Sequence, residues 1–181
     1  MAEDHIDRIV ADWVRERPEL DLLPVAVVGR ILRASRYLER DVERELATFG
    51  LTISEFNALS ALRRSGAPYR LSPKHLSSAL LLSSGGLTKL LERLEGAGLV
   101  RRQPDPEDGR GLLVVLTQAG HALQEEAFAA HLENEEELLA ALNAEERATL
   151  AAALRKLLAS FEAGEGRGRP MLRAPRQRAG A

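Results

Sequence analysis

The 181-residue sequence predicts a mainly α-helical, α+β fold in which long helices flank a compact module that ends in a two-stranded β hairpin. Hydrophobic residues make up 45% of the chain and aromatic residues only 4%, a mixture that favours helices packed through aliphatic side chains. Apolar residues recur at helical spacing along most of the chain. A loop rich in Pro, Asp and Gly between two short apolar runs predicts the hairpin.

Two helices are predicted before Gly50. Ile6, Ile9 and Val10 repeat at helical spacing until Pro18, so residues 1–23 are predicted to be an N-terminal extension with its own helix. Residues 24–48 are predicted to form a long amphipathic helix, because their apolar residues fall on one stripe. The stripe consists of Val28, Ile31, Leu32, Leu38, Val42 and Leu46.

The next three helices are short, and each begins at a residue that can cap a helix. Thr52 or Ser54 can cap the first, and Ser72 before Pro73 marks the second. Ser83 opens the third, whose apolar positions recur at helical spacing as far as Gly96. These positions are Leu87, Leu90, Leu91 and Leu94.

The predicted hairpin joins residues 99–103 to residues 112–116 through the polar loop PDPEDGRG. It follows two helices that meet at a tight turn over residues 81–82. Helix, turn, helix and hairpin form the pattern of a winged helix-turn-helix with a two-stranded β wing, predicted over about residues 52–117.

The C-terminal part is predicted to form a long helix over residues 118–142 and, after the capping residue Asn143, a second helix. Residues 24–48 and 118–162 are predicted to be dimerisation helices, because their apolar stripes have no evident partner within one small chain. Residues 163–181 are rich in Gly, Pro and Arg and are predicted to be a disordered basic tail.

Composition excludes several classes of protein. The chain has no cysteine, which rules out disulfides, thiolate zinc sites and cysteine nucleophiles. No apolar run approaches the roughly 20 residues of a membrane span, and the N-terminus lacks the pattern of a secretion signal, so a cytoplasmic protein without a membrane partner is expected.

The net charge of −2 is unevenly distributed along the chain. It is −4 over residues 1–62, +4 over residues 63–110, −6 over residues 111–162 and +4 over residues 163–181. A basic band between acidic helices indicates a module that faces DNA, although unequal blocks of charge also occur on ordinary solvated surfaces.

The most specific motif lies in the wing. Asp108, Arg110, Leu116 and Thr117 read DxRxxxxxLT and follow RLEGAGLVRR. With the helix order, this closely resembles the multiple antibiotic resistance regulator (MarR) family of bacterial transcription factors, over roughly residues 25–162. The resemblance implies a MarR-type domain at residues 24–162 and a ligand-responsive homodimer, usually a repressor, that binds a pseudo-palindrome in double-stranded DNA.

The predicted contacts with DNA begin at the second helix of the helix-turn-helix, the recognition helix. Its N-terminal turn, SSGGLTK, offers hydroxyls, small residues and a cation to the major groove. Two adjacent glycines cost helix stability, which favours a need for clearance over a frayed cap. The predicted contacts in this turn are Ser83, Ser84, Gly85, Thr88 and Lys89.

Further contacts are predicted around this helix. Ser72 and Lys74 would position the module on the DNA backbone. Phosphate contacts are also predicted for three arginines, each of which could equally be solvated surface charge: Arg93, Arg101 and Arg102. Arg110 is predicted to enter the minor groove, with Asp108 holding its guanidinium extended.

A leading helix that bears Trp13 resembles the subset of the family that senses urate or related anions. In that subset a tryptophan of this helix joins an aspartate and an arginine of the second core helix, which makes Trp13, Asn57 and Arg64 the ligand-binding candidates here. Asn57 stands at the aspartate position and lacks its charge, so the implied effector is an anionic or aromatic small molecule rather than urate specifically. The alternative for Trp13 is packing in a dimer interface.

The sequence contains no constellation expected of an enzyme. The four histidines show no HExxH spacing, and no glycine-rich phosphate loop follows a strand, so no catalytic residue, cofactor or metal site is predicted. The alternative to a DNA-binding regulator is a winged-helix module that only dimerises or binds proteins. Such a module would need neither the recognition turn nor the wing arginine.

Overall fold

The computed structural model describes residues 3–106 and 111–165. Within these residues the elements are α1 (His5–Glu16), α2 (Leu23–Ala47), α3 (Ile53–Arg64), β1 (Arg70–Leu71), α4 (Pro73–Leu80), α5 (Ser84–Gly96), β2 (Val100–Pro104), β3 (Leu112–Leu116), α6 (Gln118–Leu138) and α7 (Ala144–Glu165). The predicted class, mainly helical with a small β wing after a helix-turn-helix, is confirmed.

Five of the helices, α3 to α7, begin at residues that the sequence marks as caps. Five side-chain oxygens each accept a hydrogen bond from the backbone N–H three residues further on: those of Thr52, Ser72, Ser83, Thr117 and Asn143. Each bond satisfies one of the four N–H groups that a helix start leaves unpaired. Thr52, rather than Ser54, is therefore the cap of α3.

The sheet is antiparallel in the order β1-β3-β2. β2 and β3 form the predicted hairpin, from the Val100–Leu116 pair to the Pro104–Leu112 pair. A third strand, β1, pairs with the other edge of β3. The sequence did not reveal this strand, because its two residues are too few to show an alternating pattern.

One hydrophobic core joins the helix-turn-helix, the wing and the C-terminal end of α2. Its largest fully buried side chains are Leu46, Leu59, Leu62, Leu76, Leu94 and Val114. Burying a side chain of this size stabilises the fold by roughly 1.5–3 kcal/mol. The apolar face of α5 belongs to the same core, so the opposite, polar face of α5 is turned outward.

The start of α6 is held tightly against the start of the wing. The Thr117 hydroxyl lies 2.8 Å from the Gly98 carbonyl oxygen and 3.0 Å from that of Leu99. A Cβ atom on Gly120 would lie 2.0 Å from the Leu99 oxygen, which is far inside van der Waals contact. Glycine at position 120 therefore permits the close approach that anchors β2 to α6.

The chain divides into two compact units, Met1–Glu136 and Glu137–Ala181. In the second unit α6 ends at Leu138, four residues before the predicted end at residue 142. The reason is local, because residues 139–142 form tight turns that leave Asn143 free to cap α7. Arg147 stabilises these turns by donating hydrogen bonds to the carbonyl oxygens of Leu139 and Leu142, both at 3.0 Å.

The last helix is longer than predicted. α7 continues to Glu165, three residues into the tail predicted over residues 163–181. The rest of that tail, residues 166–181, lies outside the described residues.

Candidate DNA interface

The N-terminal turn of α5 presents small polar side chains outward. Ser83 caps the helix, its Oγ accepting a hydrogen bond from the Gly86 N–H at 3.3 Å. Thr88 Oγ1 donates to the Ser84 carbonyl at 3.0 Å, so its oxygen can still accept a further hydrogen bond. The predicted contact residues of this turn are all exposed: Ser83, Ser84, Gly85, Thr88 and Lys89.

The two glycines of this turn have different surroundings. A Cβ atom on Gly85 would meet no atom of the chain within 4 Å, whereas one on Gly86 would lie 3.4 Å from Ser83 Oγ. Neither position has a positive φ. Folding therefore does not require glycine at position 85, and the predicted need for clearance there is not explained by any neighbour within the described chain.

The turn between α4 and α5 is fixed by two local features. Leu81 ends α4 in the left-handed region, at φ 52°, with its side chain 93% exposed. Ser77 Oγ donates a hydrogen bond to the Leu82 carbonyl at 2.6 Å. The left-handed Leu81 and the hydrogen bond from Ser77 together fix the path of the chain from α4 to α5.

A cavity of about 390 Å³, open to solvent, lies between the helix-turn-helix and the wing. Four predicted contact residues line it, and they come from three different elements: Lys74 of α4, Ser84 and Thr88 of α5, and Arg102 of β2. Pro73 and Leu112 contribute apolar surface to the same cavity. The structure therefore places on one surface four residues that the sequence predicts separately as DNA contacts.

The three arginines predicted to contact phosphates differ in their surroundings. Arg102 Nε lies 3.1 Å from Glu95 Oε2, and its backbone N–H donates to the same carboxylate at 3.0 Å. Arg93 Nε lies 3.1 Å from Glu55. Arg101 is exposed and makes no ion pair within residues 3–106 and 111–165. Arg101 is thus available to a phosphate, while Arg93 and Arg102 already have partners.

The tip of the wing contains the two remaining predicted contacts, Asp108 and Arg110, and both lie outside the described residues. The structure defines the base of this loop. The Asp105 N–H donates to the Gly111 carbonyl at 2.9 Å and so continues the pairing of β2 with β3.

The ligand-binding candidates fall into two separate places. Asn57 and Arg64 line a polar cavity of about 320 Å³, next to the turn of the helix-turn-helix. Trp13 lies on α1, 48% exposed, and lines a different depression with Ile9. Within the described chain Asn57 and Arg64 line the same cavity, and Trp13 lines a different one.

The carboxylates that pair with Arg93 and Arg102, those of Glu55 and Glu95, were not predicted. Glu55 stands three residues after Thr52, which is the spacing of a capping box, so its role in α3 could have been found. Its pairing with Arg93, 38 residues away, leaves no signal in the sequence. Glu95 is likewise brought to Arg102 only by the fold.

The described residues contain neither a metal-binding cluster nor a membrane-spanning helix. No three His, Asp or Glu side chains among them are grouped so that they could hold a metal ion. In that part of the chain no helix is both long enough and apolar enough to cross a membrane.

The core, the exposed helix turn and the wing define this chain as a winged helix-turn-helix protein. Residues 49–111 match the sequence model of the MarR family. The transcriptional regulator PecS of Dickeya dadantii is 38% identical over 149 residues, which are 82% of this chain and 90% of PecS. The chain belongs to the MarR family of transcriptional regulators.

The fold resembles many solved structures, among them two that concern DNA binding. A mutant of Escherichia coli MarR complexed with operator DNA has a TM-score of 0.66 and 31% identity, covering 76% of this chain and 97% of that one. Bordetella bronchiseptica BpsR, studied for the regulation of its DNA binding by 6-hydroxynicotinic acid, has a TM-score of 0.64 and 30% identity, covering 72% and 91%.

Proposed function

We propose that this protein is a homodimeric, ligand-responsive repressor that binds a pseudo-palindromic operator, with α5 in the major groove and Arg110 in the minor groove. The observation that carries the proposal is the cavity that Lys74, Ser84, Thr88 and Arg102 line together. The similarity to MarR, whose mutant was solved with operator DNA, supports it.

The chemistry of the turn suits a DNA groove. Backbone N–H groups at the start of α5 carry partial positive charge and attract phosphate oxygens. The Ser84 hydroxyl can donate to or accept from base edges, the Thr88 hydroxyl can accept from them, and Lys89 adds charge for the DNA backbone. Gly85 lets the DNA approach the helix closely.

The proposed dimer would cover apolar surface that a single chain leaves exposed. On α2 the side chains of Leu23, Val28 and Leu32 are 66%, 54% and 59% exposed. On α7 the exposed apolar side chains are Leu150, Leu157, Leu158 and Phe161. A two-fold partner would bury such faces, and the same symmetry would require an inverted repeat in the operator.

The proposed repressor also responds to a small molecule. The similarity to BpsR, whose DNA binding 6-hydroxynicotinic acid regulates, supports an anionic aromatic effector. The polar cavity at Asn57 and Arg64 is one place where such a ligand could contact the helix-turn-helix.

A gel-shift series on genomic fragments tests the DNA-binding function. The proposal expects retention of particular fragments, with an affinity that falls steeply as salt rises because phosphate contacts release counterions. A winged-helix module that only dimerises or binds proteins would retain no fragment, even at low salt. Repression is then tested by placing a retained fragment before a reporter gene, whose expression should fall when the protein is present.

A further inference from the structure

Glu95, near the end of α5, contacts the first strand of the wing in two ways. Its Oε1 accepts a hydrogen bond from the Arg102 backbone N–H at 3.0 Å, and its Oε2 lies 3.1 Å from Arg102 Nε. β2 is an edge strand of the sheet, and alternate N–H groups of such a strand point away from the neighbouring strand. The carboxylate of Glu95 satisfies one of these groups and joins the recognition helix to the wing.

This contact lies beside the surface that is proposed to face DNA. Alternation along β2 places Arg102 on the same face of the strand as Val100, which is buried in the core. Further along that face, Arg102 lines the cavity between the helix-turn-helix and the wing, as three other predicted DNA contacts do. The side chains of Glu95 and Arg102 are each 32% exposed, so solvent screens their attraction less than that of a fully exposed pair.

An acid at position 95 has two general costs. Glu95 stands in the last turn of α5, where the partial negative charge of a helix C-terminus disfavours a carboxylate. It also places a negative charge close to a surface that is proposed to face phosphates. Within residues 3–106 and 111–165 its side chain forms one ion pair and one hydrogen bond, both with Arg102. The contacts with Arg102 therefore have to offset both costs.

The ion pair leaves Arg102 able to bind a second anion. A guanidinium carries five N–H donors on three nitrogens, and the contact with Glu95 is made at Nε. In the described part of the chain no other carboxylate pairs with Arg102, so the N–H groups of its two Nη atoms stay available. A guanidinium that a carboxylate already holds on one side loses less conformational entropy when it binds a phosphate on the other.

We propose that Glu95 is a positioning residue for DNA binding. It holds the Arg102 guanidinium at the rim of the cavity, so that the two Nη groups bind a backbone phosphate between the recognition helix and the wing. The inference rests on the proposed DNA-binding function and adds to it a residue that does not itself contact DNA. Arg101 lies on the opposite face of β2 and does not line the cavity, so Glu95 selects one of two adjacent arginines.

The test is the direction in which DNA affinity changes when the acid is removed, measured by fluorescence anisotropy on a fragment that wild type retains. Glu95→Ala should weaken binding about tenfold, as expected for a lost hydrogen bond between charged groups, although removal of an acid near DNA by itself strengthens binding. Glu92→Ala is the matched control, because Glu92 is exposed on the same helix and forms no ion pair in the described part of the chain. It should bind as tightly as wild type or more tightly.

Salt dependence separates positioning from a general loss of structure. Arg102→Ala should lower the slope of log affinity against log salt concentration by about 0.9, the value for one phosphate contact, and Glu95→Ala should lower it similarly. Partial unfolding would reduce the active fraction without changing this slope. In the Arg102→Ala background Glu95→Ala should cause no further loss of affinity, because the two residues act as one unit.

A second variant covers the case in which Glu95→Ala does not fold. The glutamine of Glu95→Gln can still accept the hydrogen bond from the Arg102 backbone, but it offers no charge to the guanidinium. This variant should fold and should also show the lower slope. Because it keeps the tie between α5 and β2, it isolates the effect on the guanidinium.

The positioning role is overturned if Glu95→Ala binds DNA as tightly as wild type, if both Glu95 variants keep the wild-type salt slope, or if Arg102→Ala does not weaken binding. An equal loss from Glu95→Ala with and without Arg102 would also overturn it. All of these results leave the DNA-binding function intact. A wild-type protein that retains no fragment at low salt would instead overturn the proposed function, and the positioning role with it.

Discussion

Arg93 on α5 lies 3.1 Å from a carboxylate oxygen of Glu55, which is buried at the start of α3. The same carboxylate accepts hydrogen bonds from the backbone N–H and the hydroxyl of Thr52, both at 2.8 Å. One acid thus caps a core helix and holds the recognition helix. This favours a structural role for Arg93 over the phosphate contact that its position in the sequence predicts.

Replacing Arg93 with alanine should lower the free energy of unfolding by about 1 kcal/mol, because a buried carboxylate loses its partner while the arginine itself is largely exposed. Urea denaturation measures this. Lys89→Ala is the control on the same helix; it should weaken DNA binding and leave the unfolding midpoint unchanged. The opposite pattern for Arg93→Ala, with lost DNA affinity and an unchanged midpoint, would make Arg93 a phosphate contact.

Gly85 offers a test in which stability and function change in opposite directions. Gly85→Ala should stabilise the protein by up to about 1 kcal/mol, since alanine suits a helix better and would meet no atom of the chain within 4 Å. It should also weaken DNA binding, because the new methyl group would stand on the surface that is proposed to face DNA. Gly96→Ala, at the other end of α5 and equally open, should stabilise the protein without affecting DNA. Equal DNA affinity in both variants would remove the clearance argument.

Acid should release the contact between α1 and α2, in which Arg30 of α2 pairs with Asp4 and Asp7 at the start of α1. A hydrogen bond from the Asp7 backbone N–H, and after it the pairing with Arg30, holds the pKa of the Asp4 carboxyl below its usual range. Such a group adds stability that is present above its unfolded pKa, about 3.9, and is lost as pH falls through the lower folded value. Asn at position 4 can still cap the helix but carries no charge.

The thermal midpoint of Asp4→Asn should therefore lie below that of wild type near neutral pH, and the difference should shrink as pH falls below about 4. Asp12→Asn is the control, because Asp12 and its partner Arg15 are both exposed and both lie on α1, so their ion pair does not join α1 to α2. It should match wild type throughout the range. A difference for Asp4→Asn that stays constant down to the lowest pH would show that charge plays no part in this contact.

Arg110 is proposed as the minor-groove contact. Arg110→Ala should reduce operator affinity by roughly tenfold or more, as expected for a lost groove contact of about 1–3 kcal/mol. Thermal melting and dimer mass should be nearly unchanged. Asp108→Ala keeps the guanidinium and removes the acid expected to orient it, so it should lose less affinity. A large fall in the melting temperature of Arg110→Ala would instead identify a structural residue.

The helices were predictable because their signals are local. Ser72, Ser83 and Asn143 cap the helices that the sequence assigns to them, since capping depends on residues only three apart. The hairpin was predictable for the same reason, because its strands are neighbours in sequence.

The features that escaped prediction depend on distant residues. β1 is a strand only because β3 lies beside it, and the need for glycine at position 120 arises from the Leu99 carbonyl. Leu81 adopts a left-handed conformation that leucine seldom takes. The site was predictable as a set of residue types, whereas the shared cavity and the carboxylate partners required the fold.

The most direct test of the central claim is a hydroxyl-radical footprint of the full-length protein on the genomic fragment that it retains most tightly. Binding by a two-fold dimer predicts two protected half-sites in an inverted repeat, with centres about 10 bp apart or a multiple of that spacing. A single protected segment without an inverted repeat, or no protection at low salt, would contradict the account.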